Sequence, residues 1–241
     1  MNNKFDFKRF GQVLAKDWKQ YFHDFGISLI VWSCIPVLFW IVTLIFDTEM
    51  ENGSRAVVIG CLVFLVLMFV PSKVYGKANL SREGVGFAML PATNLEKFFS
   101  MVLYCSVFTP LIVGLGSWAI DSLLYMLPFG GFTYDFVMLP TNKLGVILVT
   151  IACYTLLVSS IFLFGNMIFK KRKTGKTIAW TLLIVFVITM ILELFHFWRA
   201  FVNWEISINQ NALPWIMDGV MFVFAVAFYY LTYRKIKTQK Y

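Results

Sequence analysis

The stretch Leu144–Phe169, LGVILVTIACYTLLVSSIFLFGNMIF, decides the class of fold. Its 26 residues include no Asp, Glu, Lys, Arg or His. At 1.5 Å per residue a helix of that length reaches roughly 39 Å, enough to cross a hydrocarbon layer about 30 Å thick. The rest of the chain is of the same kind. Of 241 residues, 59% are apolar, 18% aromatic and 14% charged. A soluble domain runs at roughly 45–50% apolar and about 25% charged. The excess cannot be hidden inside a soluble fold of this length, so a soluble enzyme is excluded. The fold class expected is all-α: a polytopic integral membrane protein forming a single transmembrane domain over 1–241.

Six spans are expected, at 27–46, 56–75, 98–127, 144–169, 177–198 and 215–233. Pro36 and Pro110 lie inside spans, where a missing N–H and a bulky ring predict kinks. Pro214 stands at the first turn of the last span, where its missing N–H is harmless. The net charge of +8 is placed unevenly. Of the 21 basic residues, 18 fall before the first span, after the second, after the fourth and in the tail. Only Arg55, Lys143 and Arg199 fall on the other side. The positive-inside rule then puts both termini on the cytoplasmic side of the membrane. The basic excess reports orientation and contact with anionic lipids, and no nucleic-acid partner is implied.

Ahead of the first span, Phe7, Phe10, Leu14, Trp18, Tyr21 and Phe25 are spaced three or four apart and form a stripe about 60° wide on a helix. This predicts an amphipathic helix over 4–25, lying in the interface as an anchor or as an elbow that meets a partner. Its acids, Asp6, Asp17 and Asp24, and the lack of a small-residue cleavage site argue against a cleaved signal.

Little in the sequence points to chemistry. Cys34, Cys61, Cys105 and Cys153 sit in apolar runs without CxxC spacing, and His23 and His196 are the only histidines, so no metal site is expected. Gly175-Lys176-Thr177 resembles the end of a phosphate-binding loop, but position 170 is Lys where that loop needs Gly. Polar residues inside the spans are rarer and more telling. Asp121, Glu193 and Asp218 fall toward the outer ends of their spans, and Glu193, His196 and Arg199 recur every three residues on one helical face. They form an expected intramembrane polar cluster, either as interfacial pairs or as an outer gate. An intramembrane hydrolase using Glu193 and His196, with Asp121 or Asp218 converging on them, is an alternative function.

The segment 76–97 is the most distinctive loop. Gly76, Gly84 and Gly86 signal turns, and Pro91 blocks helix. Thr93 and Glu96 then form a T-x-x-E capping box ahead of an apolar run. A helix capped there feeds directly into the third span, so a push on its exposed end moves a membrane helix.

With an amphipathic N-terminal helix, six spans, both ends inside and a helical loop after the second span, the chain resembles the permease subunit of a bacterial type 2 ABC transporter. Met89-Leu90-Pro91-Ala92-Thr93-Asn94-Leu95-Glu96-Lys97-Phe98 is similar to a stretch found in many such permeases. The resemblance implies export powered by a separate ATPase subunit, which binds the ATP, so that no cofactor and no catalytic residue belong to this chain. It also implies a second permease half, identical or related. Leu90, Pro91, Thr93, Asn94, Leu95, Glu96 and Lys97 would then couple to the ATPase. The family often has short helices dipping back into the outer leaflet between spans five and six; Phe201–Leu213, at 13 residues, is short for a full re-entrant hairpin, and a shorter one would begin inside the fifth span near Glu193. A non-transporting scaffold or immunity-type membrane protein is the remaining alternative.

Overall fold

The computed structural model describes residues 5–46, 52–79, 87, 89–126, 144–201 and 213–238. Everything regular among them is helical. In chain order the helices are α1 (Phe7–Ser33), α2 (Ile35–Phe46), α3 (Asn52–Val74), α4 (Asn94–Leu103), α5 (Thr109–Tyr125), α6 (Leu144–Ile168), α7 (Lys173–Phe201) and α8 (Leu213–Thr238). Among the described residues, five helical stretches are long and apolar enough to cross a membrane: Phe7–Phe46, Gly53–Val74, Asn94–Tyr125, Ile147–Ile168 and Trp215–Thr238. The chain is therefore an all-helical protein suited to a multi-pass membrane location. The remaining expected span, 177–198, falls on α7, whose side chains over 191–201 lie outside the described residues.

The N-terminal helix is longer than the amphipathic pattern predicts. It starts at Asp6, whose carboxylate caps the Lys8 N–H at 2.9 Å. It then continues without a break into the apolar run and ends only at Ser33. Pro36 accounts for that end: without an N–H it cannot continue the ladder, and the axis restarts at Ile35. The aromatic stripe is split by the packing. Tyr21 and Phe25 turn inward, whereas Phe7 and Trp18 are exposed. The buried row is Val13, Asp17, Tyr21, Phe25, Leu29 and Ser33, one residue in four. A four-residue step overshoots a 3.6-residue turn by about 40°, so this row winds around the helix as it rises.

α4 and α5 are one rod joined by a π-helical turn, Tyr104–Phe108. Their buried row is Glu96, Ser100, Tyr104, Thr109, Val113, Ser117 and Asp121. Every step is four residues except the one across the π turn, which is five. Pro110 explains the extra residue. Its ring would strike the carbonyl of Ser106, and widening the turn to an i→i+5 bond, from the Thr109 N–H to the Tyr104 carbonyl, relieves the clash. The kink expected at Pro110 is thus taken up as an inserted residue that keeps the polar face pointing inward.

α1 and the α4–α5 rod run side by side in the same direction, with α3 against both. Their shared core includes Tyr21, Phe25, Leu29, Val66, Val70, Met101, Tyr104 and Val113. α6 packs on α3 and, along most of its length, on α8. Among the described residues, α7 meets the bundle through its first turns. Thr177 sits against Gly165 so closely that a Cβ on that glycine would lie 2.1 Å from the threonine Oγ1.

Candidate functional site

The densest polar arrangement among the described residues is the seam between α1 and α4. The capping box forms as the T-x-x-E spacing predicts. The Glu96 N–H donates to Thr93 Oγ1 at 3.3 Å, and the Thr93 N–H donates to Glu96 Oε2 at 2.8 Å. The other carboxylate oxygen crosses to α1. Glu96 Oε1 accepts the Asp6 N–H at 2.9 Å and an Arg9 guanidinium N–H at 3.2 Å. One fully buried side chain therefore caps its own helix and clasps the first turn of another.

Lys97, also buried, reaches back and donates to the Phe87 carbonyl at 2.8 Å, with its ammonium 5.3 Å from the Phe87 ring. It fastens the loop that precedes α4. The seven residues expected to couple to a partner thus divide into two sets. Pro91, Asn94 and Leu95 are exposed, as is the neighbouring Met89. Leu90 and Thr93 are half-buried, while Glu96 and Lys97 face inward and hold the segment in place.

Higher on the same seam, Asp17 of α1 is buried and accepts from Ser100 Oγ at 2.6 Å and from Tyr75 OH at 3.3 Å. Tyr104 donates to the Leu14 carbonyl at 2.7 Å, and Tyr21 shares a 2.8 Å bond with Thr109. A buried carboxylate costs several kcal/mol unless hydrogen-bonded, and here each is supplied with donors from two elements.

The turn after α3 links this seam to the second half of the chain. The Tyr75 carbonyl accepts from Asn166 Nδ2 of α6 at 3.1 Å. The Gly76 carbonyl accepts from Lys173 Nζ of α7. Ser72 shares a 2.6 Å bond with Thr174. Burial holds the Lys173 ammonium below the usual lysine range, and its placement at the C-terminal end of α3 matches the negative pole of that helix. Residues from α1, α3, α4, α6 and α7 are thereby joined within a few hydrogen bonds.

The expected intramembrane cluster is distributed differently. Asp121 of α5 takes a two-pronged ion pair from Arg55 of α3, at 3.1 Å from Nε and 2.5 Å from a terminal nitrogen, with both side chains buried. Asp218 of α8 accepts from Thr150 of α6 at 2.8 Å. The two acids thus serve two separate helix pairs. Glu193, His196 and Arg199 lie on α7, but their side chains are outside the described residues, as is the 202–212 part of the expected hairpin. Between these levels, Ser106, Ser159 and Tyr229 close a triangle of hydroxyls at 2.5–2.7 Å, joining the π turn to α6 and α8.

Among the described residues no group of His, Cys, Asp or Glu could hold a metal ion. Thr177 of the Gly175-Lys176-Thr177 tripeptide bonds its own helix, donating to the Lys173 carbonyl at 2.8 Å. The residues that sequence reading missed are Arg55, Asp17 and the tyrosines of the seam. One signal was present: Asp17 falls four residues from Val13 and from Tyr21, on a face otherwise made of core residues. No protein-family model matches this chain, and no curated protein or solved structure matches it.

Proposed function

We infer that the chain is the membrane-spanning permease subunit of an ATP-binding-cassette transporter, driven by ATP hydrolysis on a separate subunit. The observation that carries the reading is the start of α4. Met89, Pro91, Asn94 and Leu95 are exposed at the tip of a helix continuous with α5 and clasped to α1 by Glu96. A force applied at that tip is delivered along a rod about 32 residues long, Asn94–Tyr125, and through the seam to α1 and α3. In this reading the exposed residues meet the ATPase, and Glu96 and Lys97 make the tip stiff enough to be pushed. Both termini and the α4 tip face the cytoplasm of a bacterial inner membrane, six helices cross it, and a second permease half completes the pathway. Export is the direction favoured by the resemblance.

Purification in mild detergent tests this. An ATPase subunit is expected to co-purify. In a background where the exposed Cys34 and Cys61 are replaced by Ser, cysteine substitutions at Asn94 and Leu95 should cross-link to that subunit, and one at buried Ser100 should not. Full biological activity from a lone chain, with no ATPase bound or required, would overturn the reading.

A further inference from the structure

We propose that the α6–α7 corner, made of the connecting residues 169–172 and the first turn of α7 to residue 176, is a seat for the headgroup of an anionic phospholipid, whose acyl chain lies along an exposed face of α7. The inference does not depend on the permease reading. The corner carries Lys170, Lys171, Arg172, Lys173 and Lys176. Four of them, all but Lys173, are exposed, and none of those four makes an ion pair among the described residues.

The corner is also held in shape. Lys173 is drawn inward onto the Gly76 carbonyl, Thr174 is bonded to Ser72, and Thr177 is wedged against Gly165. Arg172 takes a left-handed backbone conformation, φ 50°, which throws the chain around the corner. Lys176 folds back toward the end of α6, its ammonium 5.8 Å from the Phe169 ring centroid. The cations are therefore presented together from a fixed backbone, so little backbone ordering remains to oppose binding.

Among the described residues, the adjoining parts of the helices carry no acid to neutralise them. No Asp or Glu occurs between Asp135 and Glu193, between Glu51 and Glu83, or after Asp218, which covers the adjoining parts of α3, α6, α7 and α8. Asp17, which reaches this end through Tyr75, is buried and already bonded. Lys73 of α3 is exposed beside the Ser72–Thr174 bond, and Arg234, Lys235 and Lys237 extend the positive rim where Ile236 joins the same core as Met167.

An acidic protein surface would satisfy the charge, but a second feature selects a lipid. Trp180, Leu183 and Val187 continue from Lys176 at helical spacing and are 56%, 53% and 46% exposed. A cation followed by an interfacial Trp and then an aliphatic row matches a lipid read from headgroup to chain.

The test uses the full chain in nanodiscs of phosphatidylcholine alone or of equal parts phosphatidylcholine and phosphatidylglycerol. Thermal unfolding is followed, and retained lipid is counted by native mass spectrometry after transfer to detergent. The wild type should retain phosphatidylglycerol selectively and melt higher in its presence. Each neutralised cation should weaken retention roughly fivefold, so K170Q/K171Q/R172Q/K176Q should lose the selectivity and K170R/K171R/K176R should keep it. The single variants K171Q and R172Q give the same reading if the fourfold variant fails to fold. Unchanged selectivity in the neutralised variants would overturn the proposal. So would an equal rise in melting temperature from inorganic phosphate in phosphatidylcholine discs.

Discussion

The α4–α5 rod and α7 are both long helices in an apolar chain, yet they meet their surroundings in opposite ways. The rod turns Glu96, Ser100, Thr109, Ser117 and Asp121 inward, all of them buried. On α7 the six consecutive residues Leu182 to Val187 are all apolar and all exposed. Lipid tails solvate Leu and Val as well as a protein core does, so apolar burial gives little drive for helices to associate in a bilayer. What fixes one helix against another is then polar bonding and close approach at small residues. The rod has the first at most levels from Glu96 to Asp121, whereas the described part of α7 has both only at its start, where Lys173 and Thr174 bond the end of α3 and Thr177 meets Gly165.

The ion pair between Arg55 and Asp121 should give the largest effect. Asp121→Ala leaves a guanidinium buried without its carboxylate, at an expected cost of about 3–5 kcal/mol. Replacing both residues by Leu should recover most of the loss, because the isolated charge is removed with its partner. Reversible unfolding in detergent micelles reads both. A double variant no better than the single one would show that the pair itself, and not the stranded charge, carries the stability.

Next in size is the α6–α7 contact. In Gly165→Ala the new methyl would sit 2.1 Å from Thr177 Oγ1 and 2.6 Å from its Cγ2. The helices must move apart, at an expected cost of about 1–3 kcal/mol. Gly165→Ala with Thr177→Ala should restore part of it, since the two closest atoms are gone. If Gly165→Ala is silent, α7 is not seated by this contact, and the contrast with the rod becomes sharper still.

Smaller again is the cap of α4. Thr93→Ala removes the acceptor of the Glu96 N–H and should cost about 1 kcal/mol. Hydrogen exchange should rise locally in the first turn of α4 and not at Asp121. A rise confined to α4 would show that the seam with α1 is held mainly by Glu96. A rise that also reaches the first turn of α1, where the Asp6 and Arg9 N–H groups bond Glu96, would show that the two helix starts melt together.

These expectations mark what the sequence made legible. Local signals were readable: the capping box is written in four consecutive residues, and the apolar runs announce their helices by length alone. The joins were not. Arg55 and Asp121 are 66 residues apart and Asp6 and Glu96 are 90 apart, with no local pattern connecting either pair. Arg55, just outside an apolar run, reads as a loop cation until the partner helix is placed beside it. The π turn was half legible. Pro110 announces a disturbance, but only the buried row shows that it is an added residue which keeps Thr109, Ser117 and Asp121 on the inner face. For the coupling segment, the pattern locates the helix start without saying which residues of LPATNLEK turn outward. That division depends on α1 arriving to cover Glu96.

The smallest effects test the comparison most directly. Tyr229→Phe removes one hydroxyl from the triangle with Ser106 and Ser159, whose own bond of 2.7 Å remains. No polar atom is stranded, so the cost should be near 0.6 kcal/mol, the average for hydrogen bonds between membrane helices. Leu183→Ala deletes more atoms, but from a side chain 53% exposed along α7. Facing lipid, it should change stability by less than about 0.5 kcal/mol. Removing one oxygen should therefore cost more than removing three carbons. The reverse order would mean that the exposed face of α7 is packed against protein in the membrane, and that α7, like the rod, is fixed by a partner along its length.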